Sequence, residues 1–285
     1  MPHIPYELYG HPQKGGVTSP SVGRCIYCRE FNSKDLTREH IIPYSLGGAF
    51  ILGDASCPDH CKITSRFEEK FTRDMFGTYR AKHGLPSRKS KKQRSRESIF
   101  VDYGTHEEEQ VVPLKDYPDV LMFPIFDSLP GVLFHTPKGP ATASRTLVLS
   151  NRQEVSRIAA QHKPGRAYIK RKNSTEAFVR MVAKIAHGFA YRDHGSNLSP
   201  LLLDIIEGKS INEAGYFIGG PASMMPGPKT QHLHEVSSMV CFDGIEGHPY
   251  FLVVEVGLFS RHGAPQYVAV AGMLPVEIGK PIVGK

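Results

Sequence analysis

Four of the five cysteines of this 285-residue chain fall between Cys25 and Cys61 as two close pairs, and no other feature restricts its folding so tightly. The first pair is Cys25-Ile26-Tyr27-Cys28; the second lies in Cys57-Pro58-Asp59-His60-Cys61-Lys62. Thiolates two or three residues apart reach one ion from a single tight turn, and two such pairs supply the four ligands that tetrahedral zinc takes. Whatever lies between the pairs is then pinned at both ends. Between them stand Thr37-Arg38-Glu39-His40-Ile41-Ile42-Pro43 and Leu46-Gly47-Gly48.

Disulfides are the competing use of paired cysteines, and they need an oxidising compartment. The N-terminus, Met1-Pro2-His3-Ile4-Pro5, lacks a basic region followed by an apolar one, and no apolar run approaches the ~20 residues that span a bilayer. The chain therefore reads as cytoplasmic, without a membrane partner, and its clustered cysteines as metal ligands. Cys25 and Cys28 form the unambiguous half of the set. The second half is Cys57 with either Cys61 or His60. Thiolate is the softer ligand, so the expected zinc set is Cys25, Cys28, Cys57 and Cys61; the commoner two-residue gap makes His60 the alternative fourth ligand. Cys241 stands alone in a strand-like stretch and reads as a core thiol.

Taken in order, residues 1–22 carry Pro, Gly, Ser and Thr without apolar periodicity and read as an extended arm. Thr37 to Pro43 reads as a short strand, Gly47-Gly48 as a turn, and Phe50-Ile51-Leu52 as the returning strand. A helical run follows from Ile63 to Tyr79, with Ile63, Phe67, Phe71 and Met75 four apart, and with Ser65 and Glu68 as a capping box. These make a ββα unit over residues 23–82. Between Arg80 and Arg96 lie eight Lys or Arg residues and no acid, so 83–98 reads as a basic linker. Residues 99–285 read as a larger domain. It has a helix from Thr175 to Tyr191, another from Ser199-Pro200 to Gly208, and antiparallel strands at His232 to Phe242, Tyr250 to Phe259 and Gln266 to Met273. The fold class is α+β.

With 35 Lys and Arg against 28 Asp and Glu, the chain carries +7, which points to an acidic partner such as nucleic acid. The motifs narrow that further. Cys-x2-Cys, Glu-His-Ile-Ile-Pro, Leu-Gly-Gly and a second metal pair before a helix resemble the HNH endonucleases, the ββα-metal nucleases, in the subgroup with a structural zinc. The resemblance covers Arg24 to about Tyr79. It implies a metal-dependent hydrolase that cuts phosphodiester bonds in DNA, with RNA as the alternative substrate.

On matching positions, the resemblance makes His40 the general base that deprotonates the attacking water, a role suited to a neutral imidazole. It makes Glu39 the carboxylate ligand of a catalytic divalent ion, Mg²⁺ or another, that neutralises charge on the phosphorane and the departing 3′ oxygen. Neighbouring strand residues face opposite ways, so the two converge on one phosphate only at a kink or a strand terminus, a distortion that Pro43 and its loop are placed to supply. The family's Asn or His at the helix start has no clear counterpart. Counting from Ser65 leaves Cys61 in its place, with His60 on zinc; counting from Cys61 leaves Lys62; a third arrangement turns His60 toward the catalytic ion. Arg38 and Lys62, with Arg88, Lys89, Lys91, Lys92, Arg94 and Arg96 of the linker, are the residues expected on phosphates.

Two rival functions share these residues: a catalytically inactive zinc module that binds nucleic acid, and a zinc-shaped adaptor for another protein. Asp54 reads as a strand cap, His232 and His234 as one exposed strand face, and His187, Arg192, Asp193 and His194 as a polar helix end.

Overall fold

Helix α1 (Pro58–Lys82) starts straight from the second cysteine pair. Cys57 is its N-cap in extended backbone, and Pro58 takes the first position, where a missing N–H leaves no donor unsatisfied. The helix thus begins before Ile63, and Ser65 and Glu68, expected to cap it, lie inside it. Its inward stripe is Phe67, Phe71, Met75, Phe76 and Tyr79. The structure, a computed structural model, describes residues 17–28, 35–87, 94–170, 172, 174–220, 229–242 and 249–275. Most of the expected arm (1–16), the centre of the basic linker (88–93) and the Asp243-Gly244 turn lie outside these residues.

Three strands pack with α1. β1 (Val17–Ser21) runs parallel to β3 (Phe50–Ser56), and β2 (Thr37–His40) pairs antiparallel with the other edge of β3. Residues 17–21, expected as part of an arm, are therefore a strand. The β2–β3 connection closes in a 3-10 turn, Tyr44–Leu46, that ends at Gly47 with φ of 88°. At Gly48 an added Cβ would lie 1.9 Å from the Ile42 carbonyl oxygen, so only glycine fits there.

The remainder is α+β with antiparallel sheets. β4 (Arg96–Asp102) pairs with β5 (Glu107–Pro113) and β8 (Arg166–Tyr168), and β6 (Val120–Phe126) pairs with β7 (Ala143–Ser150). The largest sheet holds β11 (His234–Cys241), β12 (Tyr250–Leu258) and β13 (Gln266–Leu274), with short β9 (Ser199–Pro200) and β10 (Ile218–Gly219) on β13. The helices are α2 (Arg152–Gln161), α3 (Thr175–His194), α4 (Leu203–Glu207) and α5 (Ala214–Phe217). Ser199 and Pro200 do not start a helix as expected. They pair with Met273 and Gly272, so sheet pairing overrides the local helix-start signal; α4 follows and stops at Gly208, φ 84°.

The division at residues 82 and 99 is not a break in packing. Phe71 of α1 lies 5.6 Å from Phe178 of α3, and Phe76 lies 5.5 Å from Phe123 and 4.8 Å from Phe259, ring centre to ring centre. All five rings are fully buried, each contributing about 1.5–3 kcal/mol of burial, and they belong to one continuous core that also takes in Ile26 and Ile41. A small ββα unit buries too little surface to stand alone. Here the rest of the chain supplies its missing wall. Among the described residues no helix is long and apolar enough to cross a membrane.

Candidate functional site

The cysteine pairs meet. Ligand atoms of Cys25, Cys28, Cys57 and His60 all lie within 4.8 Å of one another. Cys28 Sγ is 3.9 Å from Cys57 Sγ, and Cys57 Sγ is 3.2 Å from His60 Nδ1. Sulfurs around a tetrahedral zinc with ordinary bond lengths sit about 3.8 Å apart, so the donor set fits that ion in both type and spacing. The fourth member is His60 and not Cys61. On a helix, the third residue after the N-cap turns back toward the cap, whereas the next one is carried round; Cys61 instead gives its backbone N–H to the Cys57 carbonyl.

The thiols of the group differ in their electrostatics. Burial raises the Cys25 thiol to about 12. At Cys57 burial pushes the same way, but hydrogen bonds from His60 and its thiol neighbours outweigh it and bring the value to about 7. Nε2 of His60 is 3.1 Å from Glu207 Oε1 on α4. Glu207 is held below the ordinary carboxylate range: burial opposes this, but Lys209 and His60 outweigh it. An ionised carboxylate only accepts, so Nε2 carries the proton and the lone pair is on Nδ1, facing the sulfurs.

Glu39 and His40 part company. At the end of β2, after exposed Thr37 and Arg38, Glu39 is at 5% exposure and His40 is half-buried on the opposite face. The His40 ring meets Tyr44 edge-on at 5.7 Å. The Glu39 carboxylate instead accepts from Lys184 of α3, Oε1 to Nζ 2.7 Å, and the same ammonium is 2.8 Å from Glu68 Oε1 on α1. Lys184 also donates to the backbone carbonyls of His40 and Ile41. Burial works against a charged Lys184, yet Glu39 and Glu68 outweigh it and raise its pKa above the ordinary lysine value. Burial, then Glu68, raise the Glu39 carboxyl while Lys184 opposes them. Glu39 and His40 are the last two residues of β2, at the strand terminus, and the register shift against β3 lies just before them, between Thr37 and Glu39. Glu39 still does not fit the divalent-ion ligand expected of it: its carboxylate faces the core and is taken by an ammonium.

The remaining expected contacts are scattered. Arg38 and Lys62 are exposed, and Lys62 reaches Asp59 at 3.3 Å. Arg94 pairs with Glu97 at 2.5 Å and Arg96 donates to the Val111 carbonyl; Arg96 belongs to β4, so the linker ends before it. Arg88, Lys89, Lys91 and Lys92 lie outside the described residues. Asp54 is exposed, in left-handed backbone at φ 45°, within β3 and away from its end. His234, expected on an exposed face, is buried: Nε2 donates to the Leu46 carbonyl and Nδ1 accepts from the Phe259 N–H. His187 is no surface helix end either; it is fully buried and donates to the Ile26 carbonyl at 2.9 Å.

Sequence reasoning passed over Lys184 and Glu207 and gave Glu68 only a helix-capping role. Lys184 left a signal, since it is the one Lys, Arg, Asp or Glu from Met181 to Tyr191 on an apolar helix, and such a residue is buried only with a partner. Glu207 left none.

A thiol–imidazole group that could hold a metal ion joins two strands to a following helix, an arrangement compatible with a zinc-bound ββα unit. Consistent with this, the family model described as HNH endonuclease matches residues 25–76. Searches of characterised proteins and of solved structures give no match to the chain.

Proposed function

We propose that the chain is an HNH-type endonuclease, a cytoplasmic hydrolase of phosphodiester bonds in DNA, with His40 as its general base. The observation that carries this reading is the half-buried His40 imidazole on the side of β2 opposite Glu39, inside the segment that matches the family. A neutral imidazole there accepts a proton from water as the water attacks phosphorus. Exposed Arg38 and Lys62 and the net charge of +7 favour a polyanionic substrate, and RNA offers the same phosphates. Arg88, Lys89, Lys91, Lys92, Arg94 and Arg96 extend that basic character along the chain. Zinc on Cys25, Cys28, Cys57 and His60 holds the scaffold, because four protein ligands leave no open position for substrate. Mg²⁺ on Glu39, which the resemblance implies, would have to displace Lys184, so no step is drawn through it.

That last point favours a second reading, a zinc module that binds nucleic acid without cutting it. Supercoiled plasmid incubated with zinc-loaded protein, with and without Mg²⁺, separates the two. The nuclease reading expects nicked or linear product from the native chain and none from a folded His40→Ala. Equal nicking by His40→Ala sinks it. Salt-sensitive binding without nicking selects the second reading, and binding indifferent to salt points to the protein adaptor.

A further inference from the structure

We propose that Lys184 is the resident cation of the Glu39 site: its ammonium takes the place that the HNH resemblance gives to a divalent ion and keeps that ion from Glu39 in the folded chain. The inference concerns the same strand as the nuclease reading but stands apart from whether the chain cuts DNA.

The geometry is that of a cation cage. Four oxygens surround Nζ: Oε1 of Glu39 at 2.7 Å, Oε1 of Glu68 at 2.8 Å, the Ile41 carbonyl at 3.4 Å and the His40 carbonyl. Two carboxylates and two carbonyls are hard donors, the kind that Mg²⁺ and Mn²⁺ take. They come from two elements, the β2 segment and α1, and the ammonium comes from a third, α3. Lys184 is 1% exposed and Glu39 7% at the side chain, with Glu68 at 24% the only open flank. An ion entering from that flank would have to expel an ammonium that is 1% exposed and strand it in the core. Stranding a buried charge is far more costly than breaking an exposed pair.

The placement also gives Lys184 a positioning role. By holding the carbonyls of His40 and Ile41 it fixes the backbone from which the His40 imidazole projects. The C-terminal half thereby sets the strand that the nuclease reading depends on.

Mn²⁺ binding to the zinc-loaded full chain, read from the loss of the free-ion paramagnetic resonance signal, tests this. The native chain and Glu39→Gln should bind Mn²⁺ alike, because Glu39 is already engaged. Lys184→Met, which removes the charge and keeps the bulk, should gain one ion per chain, and the Lys184→Met/Glu39→Gln double variant should lose it again. Mn²⁺ bound by the native chain and lost in Glu39→Gln overturns the proposal. So does a folded Lys184→Met that binds no more Mn²⁺ than the native chain. If Lys184→Met fails to fold, the native and Glu39→Gln pair still decides. Nicking is scored separately: Glu39-dependent Mn²⁺ binding with cleavage would defeat this inference and spare the nuclease, and the reverse pattern would do the opposite.

Discussion

Two polar clusters lie in the N-terminal segment, and they handle charge in opposite ways. Cys25, Cys28, Cys57 and His60 bring the ligand atoms of three thiols and an imidazole within 4.8 Å of one another. Glu39 and Glu68 come together around an ammonium that the chain itself provides. Three thiols and an imidazole are the donor set that zinc takes, whereas hard donors already paired with an ammonium leave less charge for an ion to balance. Each cluster is also completed from the C-terminal half, by Glu207 in the first and Lys184 in the second. Resemblance to a family points to both groups of donors. Only their neighbours tell which is open to a metal.

The comparison is most severely tested by stripping zinc. Structural zinc contributes on the order of 10 kcal/mol to small metal-stapled units at neutral pH. Chelation should therefore lower the thermal midpoint more than any single substitution, with zinc release counted in parallel; an unchanged melt would remove the thiol cluster from the account. Next is Lys184→Ala, which takes the ammonium from buried Glu39 and partly exposed Glu68 and should lose about 3–5 kcal/mol in denaturant unfolding. Adding Glu39→Gln should return part of that loss, and strictly additive losses would show the pair to be uncoupled.

A third contact between the halves, from His234 to the Leu46 carbonyl, is sensitive to acid. Burial drops the His234 pKa from 6.5 to about 4, which the Leu46 contact only partly opposes. Between those values the unfolded chain binds a proton that the folded chain refuses, so stability is full above the higher value and falls as pH drops through the window. The loss amounts to roughly 3 kcal/mol in total. Urea unfolding near neutral pH and at about pH 5 should show a gap that narrows in His234→Gln. The smallest effect expected is at Glu207. Glu207→Ala should weaken zinc binding about 10–100-fold in a chelator competition, with Glu207→Gln in between, because an outer partner orients the ligand without making the bond. Unchanged affinity would confine Glu207 to packing.

Much of the N-terminal segment could be read directly from its residues. The strand before Pro43, the Gly47-Gly48 turn and the apolar stripe of α1 follow from local spacing, and all three are observed. The three C-terminal strands were legible for the same reason. Where reading failed, a distant partner had overruled a local signal. Ser199-Pro200 has the chemistry of a helix start but is held as a strand by β13. His234 alternates as an exposed face would, yet the turn ending at Leu46 packs over it.

By itself, then, the sequence determined that two close pairs of possible metal ligands would bracket a Glu-His strand, because ligand spacing and strand alternation are properties of a few consecutive residues. The choice of His60 over Cys61 needed the true start of α1. The fate of Glu39 needed more: Lys184 lies 144 residues beyond His40, whose carbonyl it holds, and Glu207 lies 147 beyond His60. Which distant charge meets a buried carboxylate depends on how helices pack around a shared core, and local spacing carries no record of that packing.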